Sequence, residues 1–534
     1  METTYKRLRY ILFAIVFLLI GALVTRITDL RQMSQLLHRQ HDWGKLELVL
    51  EQIDRHYVDS LDHQALTENL LPAILKELDP HSIYLPPARL QQADEELEGN
   101  FDGIGIMFNV PEDTAIVASV IAGGPSQRAG LLPGDRILRI NGKDVAGVKF
   151  PQDSMVRRMK GPSGTRVQLD ILREGTQIPY EIIRGKIPVK SLDVAYMIND
   201  TTGYIKLSKF TRTSYAEFMT AVPQLVAAGM KRLIFDLRDN TGGYFDQSLL
   251  LANEFLHRGD LIVYMEGRER PRQDFHADGR GSCQQVELAV LLDENSASSS
   301  EIFAGAIQDN DRGTLYGRRS FGKGLVQEPV NFSDGSGIRL TVARFYTPAG
   351  RCIQKPYDRG EDSYGTDLLE RYRHGEMMVA DSIPKNDSLM YYTVAGRPVY
   401  GGGGIIPDVF VPVDTVGVTD LLVTINRQGL QARYSKKMAD KHRKALQQAT
   451  TLPVLDQVLD CLNLEGSFLQ YVREQGLAVD RHQWAISRDI VLTQLRAMIG
   501  RYSAMDDAAF YPLIAPLDPV IQTAVANETK VIAQ

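Results

Sequence analysis

Apolar residues change their spacing repeatedly along this chain, and each change predicts a different kind of element. Leu46, Val49, Leu50 and Ile53 fall at helical spacing, as do Leu70, Leu71, Ile74, Leu75 and Leu78, so residues 41–98 are expected to be helical, with Asp79-Pro80 breaking the second stripe. Over 99–186 short apolar runs between glycine turns predict strands. Over 187–413 the apolar runs 204–210, 233–237, 261–264 and 288–292 alternate with helical patterns such as 215–228 and 244–256. That alternation predicts βαβ units and a largely parallel sheet, so the fold class is multidomain α/β. A polar stretch over 357–397 interrupts the pattern, four glycines follow at 401–404, and residues 415–534 read as a helical extension.

Composition narrows the choice. A length of 534 residues asks for two or three domains, and 44% hydrophobic with 24% charged residues is globular. A formal net charge of −6 offers no basic face for nucleic acid. Cys283, Cys352 and Cys461 are scattered, without a metal-ligand spacing, so neither a disulfide framework nor a metal site is expected.

The N-terminal residues 1–28 change the picture more. Lys6, Arg7 and Arg9 precede an apolar run over 11–24 that Arg26 closes. A positive flank of this kind sends the following chain outward across a membrane. The run is short for a span of about 17–25 residues and suits a signal-peptide core equally well. No small-x-small cleavage site follows, and Arg9 and Arg26 can snorkel to the two interfaces, so an uncleaved anchor is the preferred expectation.

Two segments carry candidate chemistry. Asp293-Glu294-Asn295-Ser296-Ala297-Ser298-Ser299-Ser300-Glu301 follows an apolar strand and precedes a helical pattern. A serine at such a junction lies beside free backbone N–H groups and the positive helix end, which stabilise an oxyanion. The same letters, Ser298 with Glu301, also spell a capping box. The second segment, Ser320-Phe321-Gly322-Lys323-Gly324-Leu325-Val326-Gln327, sets one lysine among glycines and apolar residues. Desolvation lowers a lysine's pKa, and a neutral amine can take a proton from a serine hydroxyl. A phosphate-binding loop is the competing reading of Gly322-Lys323, but Gly324 stands where a magnesium-holding Ser or Thr is required. A histidine base, His81, His257 or His276, is a weaker rival, since no Gly-x-Ser-x-Gly elbow is present.

Phe101-Asp102-Gly103-Ile104-Gly105-Ile106 together with the run Ala129-Gly130-Leu131 to Asn141-Gly142 closely resembles a PDZ domain. Successive N–H groups of such a glycine loop can hold a carboxylate, here those of Ile104, Gly105 and Ile106, with the peptide adding as a strand. Met155, Val156 and Met159 are expected to line the other wall of the pocket.

Taken together, the serine segment, the Gly-Lys-Gly-x-x-x-Gln run and their separation resemble the carboxy-terminal processing peptidases, serine proteases with an embedded PDZ domain. Asp236-Leu237-Arg238-Asp239-Asn240-Thr241-Gly242-Gly243, Asp79-Pro80-His81-Ser82, the segment 343–348 and the segment 404–408 also look like family signatures. The resemblance covers roughly 41–413. It implies a ClpP/crotonase-like βαβ core over 187–413 with an inserted PDZ domain over 99–186. It further implies Ser298 as nucleophile, Lys323 as base, Gln327 orienting the lysine, and Glu301 in support. Gly243 and Ser299 become the expected oxyanion donors, with Gly242 as an alternative. Four serines crowd this segment, and Ser299 replaces an alanine common in the family, so the register rests on the interval to Lys323. The implied substrates are proteins with free C-terminal tails, processed in a bacterial envelope by an inner-membrane-anchored or periplasmic enzyme without cofactor. A homo-oligomer and an inactive or gated peptide-binding scaffold remain alternatives.

Overall fold

A computed structural model describes residues 43–110, 113–121, 123–358 and 360–527. The run over 11–24, and with it the expected anchor or signal segment, lies outside them. Among the described residues no helix is long and apolar enough to cross a membrane. The N-terminal unit, up to Ile74, holds a helix over 43–56 and most of the helix His63–Lys76. The second unit, from Leu75 onward, carries everything that follows.

Its frame is a six-stranded sheet whose spatial order is its chain order: Leu192–Met197, Thr202–Leu207, Arg232–Asp236, Glu287–Leu292, Thr314–Gly317 and Val409–Phe410. The first pair is antiparallel and the other four pairings are parallel, as the alternating pattern predicts. Helices Ser214–Ala227, Phe245–Asn253 and Ser299–Asp309 cover one face. Because alternate side chains of a strand point to opposite faces, Leu233 and Phe235 meet Phe218, Leu251 and Phe303 there, while Ile234 faces the other way. Both faces are buried, which is why these strands read as unbroken apolar runs.

A second, antiparallel sheet is the main departure from the sequence reading. Gly337–Tyr346 pairs with Leu325–Asn331 on one edge and with Ile83–Leu85 and Leu261–Gly267 on the other, and Arg270–His276 pairs with Leu261–Gly267. Ile83–Leu85 lies in a region expected to be helical throughout. Its three residues, following Asp79-Pro80, carry too little periodicity to announce a strand, and only pairing with residues 337–339 makes them one.

Residues 106–183 form a separate antiparallel sheet, ordered Ile106–Asn109, Ala115–Val120, Arg136–Ile140, Arg166–Arg173, Thr176–Ile183, with the helix Gln152–Met159 packed on it. A two-stranded ribbon, Asn100–Gly103 with Gly185–Pro188, forms its neck. Just before it, helix Pro87–Glu98 starts on a proline and ends on Gly99 at φ 68, the left-handed stop that favours glycine.

The helical extension has a task in the fold. Its helix Pro519–Ala526 lays Val520, Ile521 and Ala524 on Ile234, Ala289 and Leu291, covering the open face of the six-stranded sheet. Asp518 caps that helix by accepting the N–H groups of Val520 and Ile521, and it also holds Arg238 at 2.8 Å. Replacing Ile521 with Ala should remove about 2–4 kcal/mol of stability, read as a lowered unfolding midpoint. An unchanged midpoint would mean that this helix does not seal the sheet.

Candidate active site

Strand Glu287–Leu292 delivers the chain to a tight turn laced by Asp293, whose Oδ1 accepts the N–H groups of Asp239, Asn295 and Ser296 at 3.0, 3.0 and 3.1 Å. The turn therefore sits against the loop that leaves strand Arg232–Asp236. Ser298 closes it as the N-cap of helix Ser299–Asp309, with φ 56 and ψ −114. Such a backbone costs a non-glycine residue about 1–3 kcal/mol and persists only where its surroundings over-determine it.

The crowd of serines sorts itself by hydrogen bonding. Ser296 donates to the carbonyl of Leu237 at 2.8 Å, Ser299 to that of Gly243 at 3.0 Å, and Ser300 to that of Asn240 at 2.8 Å. The Ser298 hydroxyl donates to no group among the described residues, so it alone of the four keeps its proton uncommitted.

Glu301 is fully buried. Its Oε2 accepts the N–H of Ser298 at 2.9 Å and the N–H of Lys323 at 2.8 Å, and its Oε1 accepts the N–H of Gly322 at 2.7 Å and the hydroxyl of Ser320 at 2.5 Å. One oxygen thus joins the serine segment to the lysine segment. Burial, only partly offset by these hydrogen bonds, brings this carboxyl up to about 7. Three of its four partners are N–H groups that can only donate, so the carboxylate is the form that the site accommodates.

Burial is also the largest influence on Lys323 and holds its ammonium below the ordinary lysine range, with Arg339 adding to the effect and Glu301 and Asp79 opposing it. Its Nζ donates to Gln327 Oε1 at 2.9 Å, and Gln327 Nε2 donates in turn to the His81 carbonyl. Among the described residues no hydrogen bond joins Lys323 Nζ to Ser298 Oγ. The histidine rivals stand elsewhere. His257 and His276 are exposed, and the His81 ring nitrogen is paired with the Tyr364 hydroxyl at 2.7 Å. Burial, assisted by Lys323, brings His81 down to about 4.

Gly242 and Gly243 have to be glycines. A Cβ on Gly243 would fall 2.0 Å from the carbonyl oxygen of Phe210, and one on Gly242 would fall 2.8 Å from Ser298 Cβ. Gly242 spends its N–H on Asn240 Oδ1 at 2.9 Å. The N–H groups of Gly243 and Ser299 have no partner among the described residues, which favours Gly243 over Gly242 as a free donor. In the small antiparallel domain the N–H groups of Ile104 and Gly105 are likewise without partners among the described residues, while Ile106 opens a paired strand. Met155 and Met159 are packed in that domain's core, so of the three expected wall residues only Val156 remains half-buried and able to face a groove.

Comparison with known proteins identifies the family. Residues 201–359 match peptidase family S41, and residues 92–172 match the PDZ domain. A probable CtpA-like serine protease of Staphylococcus aureus (strain COL) is 32% identical over 354 residues, covering 65% of this chain and 71% of the relative. A carboxy-terminal-processing protease of Bartonella bacilliformis is 34% identical over 312 residues, covering 57% and 71%. The chain belongs to peptidase family S41. Among solved structures, the photosystem II D1 C-terminal processing protease aligns at 25% identity over 72% of this chain and 91% of that chain, with a TM-score of 0.38.

In this S41 peptidase, a serine-type enzyme of the carboxy-terminal processing kind with a PDZ domain, some site residues carry no readable signal of their role. The segment Asp79 to Ser82 is recognisable as a signature, but only the fold shows its His81 carbonyl holding Gln327. Tyr364, inside the polar stretch, has no signal at all. Ser299 turns its departure from the family alanine into a tie between the helix start and Gly243. Loss of that tie in Ser299→Ala should lower kcat by about fivefold, the equivalent of one ordinary hydrogen bond, with KM unchanged in steady-state peptide hydrolysis.

Proposed function

We propose that Ser298 is the nucleophile and neutral Lys323 the general base of an acyl-enzyme mechanism. The observation that carries this reading is the single Glu301 oxygen that accepts the N–H groups of both residues. As Ser298 Oγ attacks a peptide carbonyl, Lys323 takes its proton. The N–H groups of Gly243 and Ser299 donate to the oxyanion, where one well-placed donor contributes about 3–4 kcal/mol. Lys323 then protonates the leaving amine, and water releases the acyl group from Ser298. Gln327 keeps the lysine aimed by accepting a hydrogen bond from its Nζ. A Lys323–Ser298 hydrogen bond is not required in the free enzyme, since general-base contacts commonly tighten only when substrate is bound.

The PDZ domain supplies substrate choice in this reading. A protein's free C-terminal carboxylate docks on the N–H groups of Ile104, Gly105 and Ile106, and the chain upstream is presented to Ser298. The stacked βαβ units suit a ClpP/crotonase-like core. With the basic flank and apolar run at 1–28, the proposed setting is the bacterial envelope, in processing or quality control of proteins there. A gated resting state is the second reading, favoured by the pairing of Lys323 Nζ with Gln327 instead of Ser298.

Incubation with an unstructured protein, followed by mass analysis of the fragments, tests the chemistry. Ser298→Ala and Lys323→Ala should each lower cleavage by more than about 10⁴ while still binding tail peptides; cleavage that survives in Lys323→Ala would remove the dyad. The base must be neutral to act, so activity should rise with pH through a limb whose midpoint lies below the ordinary lysine value of about 10.4. Blocking the tail of a substrate as its C-terminal amide should raise KM by about tenfold or more, in line with the loss of a charged hydrogen bond, and leave kcat nearly unchanged. Equal KM values would separate the PDZ loop from carboxylate recognition.

A further inference from the structure

Helix Glu361–Arg373, in the polar stretch to which the sequence assigns no task, turns one face to the lysine segment. Tyr364, Asp367 and Arg371 follow one another at helical spacing, and each bears on that segment directly or through one partner. Arg371 donates to the carbonyl of Ser320 at 3.1 Å and to that of Arg319, and Glu376 steadies it at 2.9 Å. Asp367 pairs with Lys355 Nζ at 3.0 Å, while the Lys355 N–H donates to the Gly322 carbonyl at 2.9 Å. The Lys355 ammonium lies 4.0 Å from the Phe321 ring and 4.2 Å from the Tyr364 ring.

Tyr364 itself, 8% exposed, stands 2.7 Å from His81 Nε2. Its oxygen also accepts Gln354 Nε2 at 3.4 Å, and its hydroxyl proton is available to His81. From His81 the connection continues through its carbonyl to Gln327 Nε2, and from Gln327 Oε1 to Lys323 Nζ at 2.9 Å. We propose that Tyr364 is a positioning residue for the general base, acting through His81 and Gln327 and closing the wall that keeps water from Lys323. This rests on Lys323 being the base. The other groups that bear on Lys323 are Glu301 on the helix after Ser298, Asp79 and His81 ahead of strand Ile83–Leu85, and Arg339 on Gly337–Tyr346; all are retained when Tyr364 alone is changed.

The experiment is the pH profile of kcat and KM for peptide hydrolysis by the full chain carrying Tyr364→Phe or Tyr364→Ala, beside Lys323→Ala. Tyr364→Phe keeps the ring and loses only the hydrogen bond, so kcat should fall about five- to tenfold with KM and the limb unchanged. Tyr364→Ala also opens the wall, so the limb should move up by about one pH unit as water reaches the amine. A purely structural role would lower the amount of active enzyme without moving the limb. Wild-type kcat in Tyr364→Phe, or a limb in Tyr364→Ala that coincides with the wild type, overturns the proposal. If Tyr364→Ala does not fold, Tyr364→Phe decides alone, with kcat referred to enzyme counted by active-site titration so that a loss of folded protein does not register as a fall. Activity persisting in Lys323→Ala would instead overturn the assignment of the base.

Discussion

A single buried carboxylate holds this site together. Glu301 stands at the third position of a helix, where an acidic side chain ordinarily reaches back to cap the first turn. Here it does so for Ser298 and then extends to Ser320, Gly322 and Lys323. Burying an unpaired carboxylate is costly, and four donors offset that cost only if both segments hold their places. The helix cap and the candidate site are therefore one arrangement. The two readings that the letters of this segment allow are not alternatives.

The frame around Glu301 makes that arrangement rigid. Every residue of helix Ser299–Asp309 is buried, so Ser298 is mounted at the end of a wholly enclosed element. Phe303 packs edge-on against Phe235 and Phe255, with ring centroids 5.0 and 5.8 Å apart. On the far face of the sheet, helix Pro519–Ala526 completes the core, and the Arg238–Asp518 pair reaches from it to the loop carrying Gly242 and Gly243. Helix Pro87–Glu98 touches that loop from the other side. Its Glu98 accepts the Tyr244 hydroxyl at 2.6 Å, one residue past Gly243, while its Glu95 pairs with Lys160 of the PDZ domain at 2.8 Å. The PDZ domain and the loop carrying Gly242 and Gly243 thus share one supporting helix.

Much of this was legible in the residues. The βαβ order, the glycine-turned strands of the PDZ region and the helical C-terminal extension all follow from local periodicity, because those elements are long or strongly patterned. Lys323 stands out as a lysine without polar company, and the structure leaves it half-buried. The second sheet was not legible. Ile83–Leu85 is too short to show a period, and Leu325–Asn331 mixes polar with apolar residues and runs out to exposed positions at Pro329, Val330 and Asn331. Helical spacing alone predicts Met155 and Met159 as groove lining, because it cannot tell a core face from a ligand-facing one.

By itself, then, the sequence determined the long or strongly patterned strands and helices and which residue types a serine peptidase of this kind can use, since both depend on neighbours a few positions apart. The tertiary structure decided which of four serines keeps a free hydroxyl proton, which loop glycine has a free N–H, and what stands behind Gln327. Those depend on partners such as His81, Leu237 and Asn240, brought in from other strands and loops. Spacing along the chain carries no record of such distances; only the registers of two sheets set them.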